Sequence, residues 1–428
     1  MSDGIGASLE IILCPQKQSK ESEMAPFGFL HHINMKQEGE LMDPAIITLS
    51  VLAVAAFLFI TELIPLAVTA MAACTALGIL GVLPSKAVYA GLSNSTVVLF
   101  GGMFVIGAAM FKTGLAEAIG VAVVKKAGTN EIPLMAAIML VTIVLSAVSS
   151  NTGTVACLMP VIIGICQAAK IPASKELMPL AIAANVGGTI TMIGTPPNVI
   201  VTGATAGLPT FGFFEFAWIG VPLSIIITLY TLFIGRHFIP AKNGGAMDEA
   251  ALKAAKEEAG AGGDAPKSKV KMWISGLILI GVVAAMALNL KTVPLHTAAV
   301  TGAILCVVTG CLKEKEAYAG IDWVTIFLFA GMLSVAAAME KTGAGKLIAD
   351  SVVNMMGENP NPYVLTAVLF LISNILTQFM SNTASAALLA PIGISIAQSI
   401  GADPKPVLMA LGIAASCAFA TPMATPPN

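Results

Sequence analysis

The chain has 428 residues, of which 57% are hydrophobic and only 11% charged, against roughly 25% charged in a soluble domain. Its net charge of −2 excludes the strongly basic balance that nucleic-acid binding requires. Seven cysteines without a CxxC pair and four scattered histidines offer neither a disulfide framework nor a metal-ligand set, so the cysteines read as small buried hydrophobes.

Residues 1–41 are polar and irregular, with no basic segment running into an apolar one, so no signal peptide is expected there. The text changes at Met42, and a natural start at Met42 or Met35 is expected. Uncharged runs then follow near 45–60, 64–83 and 96–111, with a longer one at 132–169 and two more at 177–193 and 216–234. A charged linker spans 236–271. Beyond it the same order returns at 273–288, 293–312 and 324–339, then a long run at 361–400 and a last one at 407–420. Each ordinary run approaches the roughly 17–25 residues that cross a bilayer as a helix. An all-α polytopic membrane protein follows, divided into a polar extension (1–41), a first repeat (42–235), a linker (236–271) and a second repeat (272–428).

The duplication is explicit. TVVLFGGMFVIGAAMFKTGLAEAI (96–119) aligns without a gap to TIFLFAGMLSVAAAMEKTGAGKLI (325–348), with 12 of 24 positions identical. YAG recurs at 89 and 318, SNT at 150 and 381, and TPPN at 195 and 425. One register holds across all these landmarks, which repetition of helical composition alone would not produce.

The runs 132–169 and 361–400 are each too long for one comfortable span, and each carries its SNT near the centre. They read as two crossing helices joined by a turn, or as a re-entrant hairpin whose polar tip stops at mid-membrane. Irregular backbone survives at that depth only where it lines a cavity. In both cases the run returns to its starting side, so a complete repeat makes five crossings and the two copies lie inverted. Inverted repeats with broken helices characterise secondary transporters. With the linker inside, 14 of the 22 basic residues fall on inner segments, as the positive-inside rule asks. The first hairpin then opens from the cytoplasm and the second from outside.

No Lys, Arg, Asp or Glu falls within 132–169, 177–213 or 361–400. Glu62, Glu215 and Asp322 sit at span ends and read as interfacial anchors. A cation/proton antiporter wants a carboxylate at membrane depth, and a hydrolase wants a nucleophile–base pair or a metal set, so both are disfavoured. Hydroxyls, an amide and freed carbonyls instead make an oxygen cage for a small monovalent cation. Ser146, Ser150 and Asn151 cluster on the first hairpin, and Thr377 and Asn382 on the second. The two prolines of each TPPN remove backbone donors, leaving carbonyls such as those of Gly194 and Ala424 unpaired. Asn151, Thr152, Asn382 and Thr383 can also donate hydrogen bonds, and each tip presents a helix N-terminus that suits an anion. With no arginine near, bound cations supply most of the neutralising charge. Two facing tips suit a small ligand with two anionic ends.

At these motifs, and at TELIPLAVTA (61–70), the chain resembles the divalent anion–sodium symporter family of dicarboxylate, citrate and sulfate carriers over about 42–428. The resemblance implies a multi-pass protein of the cytoplasmic membrane, usually a homodimer, that is not an enzyme and has no organic cofactor. It implies an elevator in which a transport domain holding both hairpins moves past a scaffold. Carried over by motif, the first sodium site takes Ser146, Ser150, Asn151 and Gly194, and the second Thr377, Met380 through its carbonyl, Asn382 and Ala424. The substrate would meet Asn151, Thr152, Asn382 and Thr383, with Thr195, Thr425 and Pro426 nearby. Sodium-coupled symport of a C4-dicarboxylate such as succinate, malate or fumarate is the expected activity, with citrate, sulfate or anion exchange open within the same architecture. Some family members carry an extra span before FITELIP, which 1–41 does not show. The first TPPN is followed by the span 216–234 while the second ends the sequence, so one helix of the second repeat is expected to be missing.

Overall fold

The computed structural model describes residues 43–128, 130–169, 171–205, 210–240, 268–288, 293–356, 361–421 and 424–428. The expected extension 1–41 and most of the linker lie outside them. The described residues are helical, with no strand among them.

The first repeat begins with α1 (Pro44–Thr61), entered through Asp43, whose carboxylate accepts from Ala45 N, with Pro44 at its first position. Such a cap satisfies one orphan donor, and proline costs nothing at a site with no intrahelical partner. Next come α2 (Leu66–Ile79), the single turn α3 (Ser85–Val88), α4 (Ser95–Lys112) and α5 (Leu115–Ala127). The first hairpin is α6 (Glu131–Val148) and α7 (Asn151–Ala169), and α8 (Ser174–Gly188), α9 (Pro196–Gly203) and α10 (Ala217–Phe233) complete the set. The second repeat runs α11 (Lys269–Ala287), α12 (Leu295–Val308), α13 (Glu314–Ala319), α14 (Trp323–Thr342) and α15 (Ala344–Met356). Its hairpin is α16 (Pro362–Leu376) and α17 (Asn382–Ser399), followed by α18 (Pro404–Ser416).

Among the described residues, six helical segments are long and apolar enough to cross a membrane: α1, α4, α6, Ala217–His237, α11 and α14. Trp218 on α10 and Trp273 on α11 are 82% and 68% exposed, a cost in water but none in hydrocarbon. The chain is a multi-pass membrane protein.

The structure adjusts two expectations and keeps the third, the helix pair in each long run. The runs 177–193 and 407–420 stop being helical at Gly188 and Ser416, because the segments leading into each TPPN bond to neighbouring helices instead. Each long run is a helix pair broken at its SNT. Two further helices, α5 and α15, follow the KTG turns, where Gly114 and Gly343 adopt φ of 80° and 74°. Only glycine takes that left-handed conformation at low cost.

The repeats are knitted by exchange: α2 packs on α14, and α12 packs on α4. Both crossings are set by a glycine against an alanine. A Cβ built on Gly102 would stand 2.8 Å from the backbone carbon of Ala299, and one on Gly331 would stand 2.7 Å from that of Ala70. The pairs are related by one offset, 229. Without a hydrophobic drive between helices in lipid, such close backbone approach is the main source of association. The lysines of the two KTG turns also cross over, Lys112 to Glu316 at 3.3 Å and Lys341 to Val82 O at 2.9 Å.

Gly102→Ala and Gly331→Ala are expected to cost about 1–3 kcal/mol each through overpacking, read as a lower unfolding midpoint in detergent. Gly101→Ala, where an added Cβ meets nothing within 4 Å, serves as the control and is expected to leave the midpoint unchanged or raised.

Candidate functional site

The first half-site is built where α6, α7, α8 and the loop before α9 meet. Ser146 on α6 is fully buried, its hydroxyl 2.7 Å from Ala184 O on α8 and 2.6 Å from the carboxamide of Asn151, the first residue of α7. Around that carboxamide stand the carbonyls of Ala184 and Gly194. Turned one way, the Asn151 nitrogen donates to Gly194 O at 3.0 Å, Ala184 O at 3.2 Å and Ser146 Oγ at 2.6 Å. Turned the other way, four oxygens converge with no nitrogen donor among them. In the first orientation the carboxamide nitrogen itself satisfies these oxygens, and in the second the oxygen set would fit a small hard cation, which takes oxygen ligands.

The second half-site repeats it at an offset of 230–231. The Thr377 hydroxyl on α16, fully buried, lies 2.7 Å from Asn382 Oδ1 and 2.8 Å from Ala415 O. Asn382 N donates to Ala424 O at 3.4 Å. Met380 is buried at the same tip.

The loops that carry Gly194 and Ala424 are pinned in the same two ways. The Thr191 hydroxyl donates to Ala147 O, and that of Thr421 to Gln378 O. The asparagine of each TPPN folds back onto its own loop: Asn198 Nδ2 donates to Thr191 O at 2.9 Å, and Asn428 Nδ2 to Thr421 O at 2.9 Å. The half-sites are tied together, since Asn185 Nδ2 on α8 donates to Asn428 Oδ1 at 2.8 Å. The helix α9 packs on both α17 and α18.

Of the residues expected from sequence, Ser146, Asn151 and Gly194 come together, as do Thr377, Asn382 and Ala424. Ser150 is exposed, and its hydroxyl accepts from Gly153 N at 3.4 Å, so it caps α7 rather than joining the Ser146 cluster. Thr195 and Thr425 are buried, Thr152 and Thr383 half-buried at the helix N-termini, and Pro426 exposed. The carbonyls of Ala184 and Ala415, the hydroxyls of Thr191 and Thr421, and the carboxamides of Asn198 and Asn428 were not anticipated. The aligned segments AIAAN (181–185) and GIAAS (412–416) held the signal for the first pair.

Residues 56–414 match the family model described as CitMHS, citrate transporter. The chain belongs to this citrate transporter family. That membership fits the resemblance to divalent anion–sodium symporters, and the chain is a transporter rather than an enzyme. An uncharacterized transporter of Haemophilus influenzae is 31% identical over 89% of this chain and 83% of its own length. The sodium-dependent dicarboxylate transporter SdcS of Staphylococcus saprophyticus is 26% identical over 95% of this chain and 83% of its own. Among solved structures, the YdaH transporter of Alcanivorax borkumensis superposes with a TM-score of 0.52 at 13% identity, covering 88% of this chain and 87% of that one.

In this citrate transporter family member, Gly188 is the floor of the first half-site. A Cβ there would lie 2.5 Å from Asn151 Oδ1 and 3.0 Å from Gly194 O. Gly188→Ala is therefore expected to abolish any sodium-dependent rise in unfolding temperature while lowering basal stability by about 1–3 kcal/mol. An unchanged sodium response would remove the first cluster from consideration as a cation site.

Proposed function

We propose that this transporter carries out sodium-coupled symport of a C4-dicarboxylate such as succinate, malate or fumarate across the cytoplasmic membrane. The observation that carries the reading is the paired geometry, a hydroxyl, a carboxamide and two carbonyls beside a helix N-terminus, present twice. In the first half-site Ser146, Asn151, Ala184 and Gly194 would hold one sodium ion, with Ser150 at the tip. In the second, Thr377, Asn382, Ala415, Ala424 and the Met380 carbonyl would hold another. One substrate carboxylate would meet Asn151 and Thr152, the other Asn382 and Thr383, with Thr195, Thr425 and Pro426 beside them.

Coupling follows from electrostatics. Among the described residues of both hairpins only Glu131, at the first turn of α6, carries a charge, so no fixed cation meets a dianion at the tips. Helix N-termini contribute partial positive charge, and sodium ions beside them contribute most of the rest. Anion affinity then depends on sodium occupancy, and by linkage sodium affinity depends on the anion to the same degree. The inverted repeat, the two hairpins moving together as an elevator past a scaffold of crossed helices, and a homodimer complete the proposal. The sodium-dependent dicarboxylate relatives support it. Citrate is the second reading, favoured by the description of the matching family model, and sulfate transport or anion exchange would use the same frame.

Thermal unfolding of purified protein in sodium or potassium, with succinate, citrate, sulfate or no anion, tests this. A ligand that binds only the folded state at a hundredfold excess over its Kd stabilises by about 2.7 kcal/mol. Succinate is expected to stabilise in sodium alone, and Asn151→Ala or Asn382→Ala to lose the effect. Stabilisation by citrate but not succinate would favour the second reading, and a full sodium response in both variants would overturn the site.

A further inference from the structure

Glu176 lies in the first turn of α8, one residue ahead of the apolar run at 177–193, and is fully buried. Neither of its carboxylate oxygens has a hydrogen-bond partner. Burying an ionised carboxylate without a partner is far more costly than burying a neutral carboxyl in the same place. The obvious cation is adjacent in sequence but engaged elsewhere: Lys175 Nζ donates to Glu131 Oε1 on α6 at 2.9 Å.

Among the described residues, the surroundings offer little else. From α7 comes Cys166, buried. The segment after α10 docks at the same end, Ser174 Oγ donating to Pro240 O at 2.8 Å, and it carries Arg236 and His237, neither bonded to Glu176. From α18 the charged groups are Asp403, which caps its own helix at Lys405 N, and Lys405, paired with Glu215 at 2.7 Å.

We propose that Glu176 is a proton-binding site that latches the foot of the first hairpin. Protonated, the carboxyl stays seated between α6 and α7. Deprotonated, it competes with Glu131 for the Lys175 ammonium, and the foot where α6, α7 and α8 meet loosens. The same helix carries Ala184 O and Gly188 into the first half-site two turns further on, so proton occupancy at the foot acts on the geometry of that cluster. The latch goes beyond the sodium–dicarboxylate reading and does not depend on it.

Burial, reinforced by the Glu131 charge and opposed by Lys175, pushes the Glu176 carboxyl up from 4.5 to about 7. The folded state therefore holds this proton more tightly than the unfolded chain. Its contribution to stability is full below pH 4.5, is lost as pH rises to about 7, and changes no further above that.

The test compares wild-type protein and Glu176→Gln in detergent, without substrate, from pH 4.5 to 8.5. The glutamine variant is expected to gain midpoint temperature relative to wild type as pH rises through this window and to hold the gain above pH 7. Amide exchange over 174–180, corrected for its intrinsic pH dependence, is expected to be roughly tenfold faster at pH 8 than at pH 5 in wild type only. Should Glu176→Gln fail to fold, the wild-type infrared spectrum still decides: a protonated-carboxyl band present at pH 6 and absent at pH 8.5 supports the latch. Parallel pH profiles in the two proteins, or no such band, overturns it. None of these readouts involves sodium or a dicarboxylate, so failure here and failure of the transport reading are separable.

Discussion

A backbone carbonyl in hydrocarbon has to be given a partner, and the functional half of this molecule follows from that requirement. The helices α8 and α18 end at Gly188 and Ser416, well before the apolar runs that contain them are exhausted. Prolines in TPPN then prevent a return to regular helix without an interruption. The freed carbonyls are not left to lipid. Threonine hydroxyls and asparagine carboxamides from the same loops take up some of the polar groups, and the remainder, at Gly194 and Ala424, face the opening residues of α7 and α17. A broken helix is thereby converted from a liability into a set of aimed oxygens.

Duplication makes the arrangement doubly constrained. Equivalent helices exchange partners, α2 on α14 and α12 on α4, so neither repeat completes its packing alone. The half-sites inherit this interdependence through Asn185 and Asn428. Yet the copies are not identical. Gly188 and Gly194 in the first correspond to Ala418 and Ala424 in the second, and Asn185 corresponds to Ser416. The floor of the first cluster is packed so closely that a Cβ on Gly188 would meet Asn151 Oδ1 at 2.5 Å, whereas the second carries alanine at the corresponding position. Two cages with the same oxygens and different walls can bind the same ion with different affinity, since site rigidity and cavity size tune cation binding.

Much of this was legible before any coordinates. Span positions came from the absence of charge, and the register of the repeat from twelve matched residues in one ungapped segment. SNT and TPPN announced themselves as polar motifs where polarity is costly. What escaped had physical reasons. The helices α5 and α15 carry Lys125, Lys126 and Asp350, so a scan for uncharged runs passes over them. The Ala184 and Ala415 carbonyls belong to residues with no polar side chain, so only the recurrence of AIAAN as GIAAS marks them in the sequence. Ser150, expected beside Asn151 at the first site, is exposed and its hydroxyl accepts from Gly153 N, a local capping contact that the motif alone does not reveal. Glu176 was overlooked because a carboxylate at a span end is ordinarily an interfacial anchor.

That last case shows why position along a span is a poor guide to environment. Glu62 ends α1 exposed, Asp322 caps α14 by accepting from Thr325 N, and Glu215 pairs with Lys405. Each occupies a span end and has water, a backbone donor or a cation. Glu176 occupies a similar place in sequence and has none of these, because three helices converge over it and its neighbouring lysine is already committed to Glu131. Helix α8 therefore joins two sites of opposite character, an unpartnered acid at its first turn and, at its last, carbonyls taken up by the side chains of Ser146 and Asn198. Pro179 lies between the two ends and removes one backbone donor from the helix, so under the proposed latch a change at Glu176 would reach Gly188 through a helix already interrupted once. On that proposal, cation binding at the broken end would depend on how well the buried end holds the helix in place.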